Sequence, residues 1–245
     1  MLTVPGWAAE VVAAHPYPML FATVSGAHLY GFASVDSDLD LRGAHLLPAA
    51  EVVGLRTGPE TIDANGDRDG VELDVVSHDL HKFARLLTGR NGYVLEQLLS
   101  PLVVHTTAVH AELVALAPGL ITRHHAHHYL GFADTQWKLY GRTGELKPAL
   151  YTLRVLLTGR HLMRTGELEC DLGVLGADLP YVPDLIAAKR LAEHGPGPDP
   201  ATLEPEVTRL RAELEAARDS SALPERPAPA ALDALHELVV RVRLS

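Results

Sequence analysis

Cysteine is almost absent from this sequence, and that scarcity removes several possibilities at once. Cys170 is the only one among 245 residues, so no disulfide framework and no cysteine-based metal site can form within one chain. Long apolar runs are also missing, and none approaches the length needed to span a bilayer. The first residues carry no basic region and are interrupted by Pro5, Pro16 and Pro18. No signal peptide is expected there, so the chain reads as cytoplasmic. Neither a Walker G-x-x-x-x-G-K-[ST] nor a G-x-G-x-x-G after a strand occurs, which excludes P-loop and Rossmann sites. Internal repeats and low-complexity tracts are lacking as well. What remains is a chain poor in aromatics and rich in Ala, Leu and Val, as expected of a globular protein with much helix.

The net charge of −10 argues against a surface coated with phosphate-binding groups. Its distribution is uneven. Arg123, Lys138, Arg142, Lys147, Arg154, Arg160 and Arg164 face only Asp134 and Glu145 between positions 121 and 165. A basic second half can cradle a triphosphate or an RNA backbone, or simply form a solvated helical face.

The chemistry concentrates between Val24 and Pro48. An apolar strand at 19–24 breaks at Gly26, and a second strand at 38–47 carries Asp38 and Asp40. Side chains two apart on a strand share a face, so the two carboxylates repel unless a cation joins them. Hard oxygen ligands of this kind suit Mg²⁺. Lacking a Cβ, Gly26 lets backbone N–H groups approach a phosphate. Downstream, V-E-L-D-V-V at 71–76 alternates as a strand should. It offers Asp74 as a third carboxylate, with Glu72 on the same face as competitor. Arg42 is expected to alternate away from the acidic pair and form a buried ion pair, with substrate contact as the alternative.

Elsewhere the pattern predicts a short helix from Trp7 to about Ala14 and a polar loop or hairpin tip over 55–70. Ser77 is the expected N-cap of a helix from His78 to Leu87, and another helix spans Tyr93 to Leu99. Helices follow at 107–117, 120–140, 147–165, 180–194, 203–218 and 231–244, with a Gly/Pro linker at 195–200. Lys147 and Arg154, seven apart, share a helix face and are candidate phosphate contacts. The segment His124 to His128 carries histidines four apart, as zinc would need, yet no fourth ligand of matching spacing is evident. Lining a groove or packing is the reading preferred for it. These boundaries give three regions: 1–105 around the acidic strands, a helical substrate region at 106–195, and a helical extension at 196–245.

The motifs S-G-A-H-L-Y-G-F (25–32), S-D-L-D-L-R-G (37–43), L-D-V-V-S-H-D-L-H-K-F (73–83) and N-G-Y-V-L-E-Q-L-L-S-P (91–101) resemble the DNA polymerase β-like nucleotidyltransferase superfamily. Within it they look like the YcgL-type branch that includes the RNA-ligase-associated nucleotidyltransferases (RlaP). The resemblance covers about residues 19 to 195. It implies an α+β fold: a mixed sheet flanked by helices, then a mostly helical C-terminal half. It also implies Mg²⁺ or Mn²⁺ held by Asp38, Asp40 and Asp74, and a nucleoside triphosphate contacted by Ser25, Gly26, Ser37, Arg42, Lys147 and Arg154. The implied reaction moves a nucleoside monophosphate to an acceptor hydroxyl, most plausibly an RNA end. A protein hydroxyl and a catalytically silent nucleotide- or RNA-binding module are the alternatives. In one respect the chain departs from the superfamily, since Ala27 stands where serine usually follows the turn glycine.

Overall fold

The computed structural model describes residues 4–191 and 193–245. The chain packs as two compact units. The first comprises 1–26, 38–120 and 226–245; the second comprises 27–37 and 121–225.

The first unit is built on a five-stranded sheet in the order β3-β4-β2-β1-β5. Helix α1 (Ala8–Ala13) precedes β1 (Met19–Val24), and the single helical turn α2 (Gly26–Leu29) leads toward β2 (Leu39–His45). Strands β1 and β2 pair antiparallel, whereas β2 and β4 (Val71–Asp79) pair parallel. A parallel neighbour cannot follow directly and needs a crossover. Here the crossover runs through α3 (Ala50–Val53) and the edge strand β3 (Thr61–Arg68). Leu39, Leu41 and Leu73 face a core shared with Ala8, Val12, Ala22 and Val24. Period-two geometry therefore turns the residues between them, Asp40 and Asp74, to the opposite face.

Three local expectations are corrected. Residues 61–68 form a strand rather than a loop, and only Asp69 and Gly70 make the tip, with φ of 55° and 79°. Two positive φ values at an Asp-Gly pair match the turn whose twist suits a hairpin. The strand was hidden because Ala64 to Asp67 are exposed, leaving no apolar alternation to read. The strand β4 runs on to Asp79, so the helix begins at Leu80 instead of His78. Ser77 is not its cap: the hydroxyl is buried between His15 Nε2 at 2.9 Å and His45 Nδ1 at 2.8 Å. The cap is Asp79, which accepts from the His81 backbone N–H. Val103–His105, for which the sequence pattern gave no element, forms a short strand, β5, against β1. Helices α4 (Leu80–Leu87), α5 (Gly92–Leu99) and α6 (Ala108–Leu120) complete this stretch.

The second unit is helical. Helix α7 (Ala126–Thr143) and α8 (Leu146–Thr165) end at Gly144 and Gly166, with φ of 67° and 75°. Glycine is favoured at such left-handed helix ends because it has no Cβ to clash. Two shorter helices, α9 (Leu172–Leu175) and α10 (Val182–Arg190), precede α11 (Pro200–Asp219). The Gly/Pro run is no free tether: Gly197 N–H donates to Gly144 O at 2.7 Å, and Leu146 N–H to Gly195 O at 2.9 Å. The final helix, α12 (Pro229–Leu244), belongs to the sheet-containing unit. There it buries Leu235, Leu238 and Val242, while Arg243 forms a buried ion pair with Asp79 at 2.8 Å.

Candidate active site

The parallel register of β2 and β4 sets Asp40 directly opposite Asp74. Their carboxylates converge on one atom. Arg42 Nη2 lies 2.6 Å from Asp40 Oδ1 and 2.6 Å from Asp74 Oδ2. The expectation that Arg42 alternates away from the acidic pair is thus corrected: two residues beyond Asp40, it must share that face.

Every N–H of this guanidinium is used. Nε donates to Tyr93 Oη at 2.8 Å, and Nη1 donates to Asp74 O at 2.7 Å and Leu41 O at 3.1 Å. Burial works against its charge, but Tyr93 and Asp40 outweigh burial and raise its pKa above the ordinary arginine value. The helical pattern over Tyr93 to Leu99 does not reveal this bond, because nothing in a helical repeat marks a phenol aimed at an arginine.

The glycine turn closes on the same carboxylate. Ser25 N–H donates to Asp40 O at 2.9 Å, and Gly26 has φ +62°. A Cβ built on Gly26 would fall well inside contact distance of Asp40 Oδ2. Only glycine fits here without strain. Ser25 Oγ is fully buried and has no hydrogen-bond partner, a costly state that a bound polar ligand would relieve.

Asp38 lies half-buried immediately before β2. Glu72 is exposed and sits opposite Asp67 of β3, not at the Asp40 register. Among the described residues no group of three His, Cys, Asp or Glu side chains stands close enough to hold a metal ion. Asp40 and Asp74 fit a hard divalent cation in kind, being converging oxygen donors whose side chains are 17% and 34% exposed. In this conformation Arg42 stands at their meeting point.

The other expected contacts belong to the helical unit. Arg154 is buried in α8 with its guanidinium 3.7 Å above the Tyr30 ring. Ser37 Oγ donates to Glu193 Oε2 at 2.6 Å, and Lys147 pairs with Glu193 Oε1. Lys189, missed from sequence, donates to Glu193 Oε2 at 2.6 Å and to Ser34 Oγ at 3.0 Å. Its spacing of four from Glu193 reads as an ordinary exposed helix pair. In the histidine segment His125 is buried as part of the turn at Arg123–His125, and the His124 and His127 rings stack at 5.8 Å.

A sheet that pairs carboxylates beside a glycine turn is the arrangement that the polymerase β-like resemblance implies. The family comparison agrees over nearly the whole chain: residues 7–241 match the model of the RNA repair pathway DNA polymerase beta family (RlaP), and the chain belongs to that family. It is 28% identical over 180 residues to the uncharacterized protein YcgL of Bacillus subtilis (strain 168), a match spanning 69% of this chain and 66% of that relative. A crystal structure of a nucleotidyltransferase-like protein from Exiguobacterium sibiricum 255-15 aligns with 96% of this chain and 72% of its own. Its TM-score is 0.35 and its identity 12%.

Proposed function

We propose that the sheet-containing unit carries a metal-dependent nucleotidyl transfer centre that moves a nucleoside monophosphate from a triphosphate to an acceptor hydroxyl, with an RNA end as the preferred acceptor. One observation carries this reading: Asp40 and Asp74 face each other in register and meet at a single point beside the Gly26 turn. Family membership supports the same chemistry, and its RNA-repair description supports the choice of acceptor.

The residues divide the work. Asp40 and Asp74, with Asp38 beside them in the chain, would hold Mg²⁺ or Mn²⁺. Bound divalent ions would supply charge neutralisation on the triphosphate and activation of the attacking hydroxyl. Asp74, the more exposed of the pair, accepts the hydroxyl proton. The acceptor oxygen forms a bond to the α-phosphorus, the bond from that phosphorus to the bridging oxygen breaks, and pyrophosphate leaves. Ser25 Oγ and the backbone N–H groups around Gly26 receive phosphate oxygens. With Ala27 in place of the usual serine, Ser25 takes over the hydroxyl contact. Arg42 bonds both carboxylates and holds them together. No helix among the described residues is long and apolar enough to cross a membrane.

Incubation with α-labelled triphosphates, Mg²⁺ and RNA tests the reading. Label should appear on RNA and vanish in Asp40→Asn. Label on a protein band with RNA untouched would move the acceptor to a protein hydroxyl. Triphosphate binding without transfer to any acceptor would leave a silent binding module.

A further inference from the structure

Helix α5 is pinned across the sheet beside Asp40. Thr23 Oγ1 of β1 donates to Gln97 O at 2.7 Å, and Ser100 Oγ, at the C-terminal end of the helix, donates to Val24 O at 2.7 Å. At the other end Asn91 Oδ1 accepts the backbone N–H groups of Tyr93 at 3.1 Å and Val94 at 3.4 Å. The first turn is therefore held in place, and it aims the half-buried Tyr93 phenol at Arg42.

Tyr93 Oη accepts from Arg42 Nε at 2.8 Å, its one hydrogen bond among the described residues. A phenol oxygen that accepts still has its own proton to give. Any acceptor would satisfy Nε; a phenol adds a donor. Accepting from a cation also polarises the hydroxyl and strengthens it as a donor. Ser25 Oγ is a second hydroxyl of this kind, fully buried and without a partner. Both border the same carboxylate. Ser25 N–H donates to Asp40 O, and Tyr93 is joined to Asp40 Oδ1 through the Arg42 guanidinium.

Two uncommitted hydroxyl protons beside one carboxylate call for a ligand that accepts. The attacking hydroxyl is a poor match for Tyr93, because a bond donated to its oxygen would draw electron density from the nucleophile. An anionic phosphate oxygen fits, since it carries no proton and hydrogen bonds to charged acceptors are the strong ones.

We propose that Tyr93 is a substrate-contacting residue, its O–H donating to an anionic oxygen of the bound triphosphate while its oxygen keeps Arg42 in position. This contact rests on the nucleotidyl-transfer reading and adds α5 to the elements that hold the nucleotide.

Calorimetry on the full chain with Mg²⁺ and a non-hydrolysable ATP analogue tests the contact, with adenosine as the probe that lacks phosphate. Tyr93→Phe keeps the ring and removes only the hydroxyl. It should bind the analogue about tenfold more weakly, as expected for loss of a hydrogen bond to a charged group, and adenosine as the unaltered chain does. Unchanged affinity for the analogue, or an equal loss for adenosine, overturns the proposal. So does a lower melting temperature with analogue affinity intact, which would make Tyr93 a support for Arg42 and nothing more. In the unaltered chain the analogue should slow hydrogen exchange in the peptide over 91–99, and unchanged exchange counts against the contact. Asp40→Asn separates the two readings. Full transfer in Asp40→Asn rejects the transfer centre. Loss of transfer there, with the analogue bound equally well by Tyr93→Phe and the unaltered chain, rejects the Tyr93 contact alone.

Discussion

The two units hold opposite charge patterns. In the sheet-containing unit one guanidinium, Arg42, serves two carboxylates, Asp40 and Asp74. In the helical unit one carboxylate, Glu193, serves two ammonium groups, Lys147 and Lys189. In the second cluster Asp36 stands as a further acid, accepting the Glu193 backbone N–H. A third buried pair, Arg243 with Asp79, is matched one to one, with side chains 7% and 2% exposed.

The matched pair should give the largest stability loss and the least change in chemistry. Arg243→Ala leaves Asp79 buried and unpaired, a defect worth about 3–5 kcal/mol. Denaturant unfolding should show that loss, with transfer activity retained below the melting range. Arg42→Met should cost about 3 kcal/mol, toward the low end because Asp74 is a third exposed. Unlike Arg243→Ala, this variant should be restabilised by Mg²⁺, since the two facing carboxylates then lose the Arg42 charge; thermal melts with and without Mg²⁺ distinguish them. Gly26→Ala comes next, at about 1–3 kcal/mol for a side chain forced into the left-handed region. Its Cβ presses on Asp40, so activity should fall even where the variant remains folded.

The smallest effect is acid sensitivity, and it has two windows. Burial, reinforced by the nearby His15 charge, lowers His45 from 6.5 to about 4. The folded chain keeps this ring neutral while the unfolded chain protonates it, so stability present above pH 6.5 is lost as pH falls toward 4. For Glu193, burial raises the pKa, but bonds from Lys147, Lys189, Ser37 and Ser34 overcome burial and hold it at about 2 against an ordinary 4.5. Its contribution is present above 4.5 and lost between there and 2. Melting temperature against pH should fall by several degrees in all. The upper window should flatten in His45→Asn and the lower one in Glu193→Gln.

Legibility in the sequence followed the same division. Strands with one apolar face, such as Leu39 and Leu41 or Val71, Leu73 and Val75, announce themselves by alternation, and they carried Asp40 and Asp74 with them. The edge strand β3 did not, because an exposed strand has no buried face to encode. Arg42, two residues after Asp40, shares its face by the same period, so its place was legible in the sequence. The Glu193 cluster was out of reach altogether. Its four donors come from three separate segments, at 34–37, 147 and 189, and only packing brings Ser34 and Ser37 to Lys189. The lysine itself looked like any surface helix residue, since burial is not written in a K-x-x-x-E spacing.

The most direct measurement compares two neighbouring acids on one strand. Transfer of label from an α-labelled triphosphate to RNA should drop on the order of a thousandfold in Asp74→Asn, while Glu72→Gln, two residues away and outside the Asp40 register, should retain nearly full activity. Full transfer in Asp74→Asn, or equal loss in both variants, would contradict a centre built on the Asp40 and Asp74 pair.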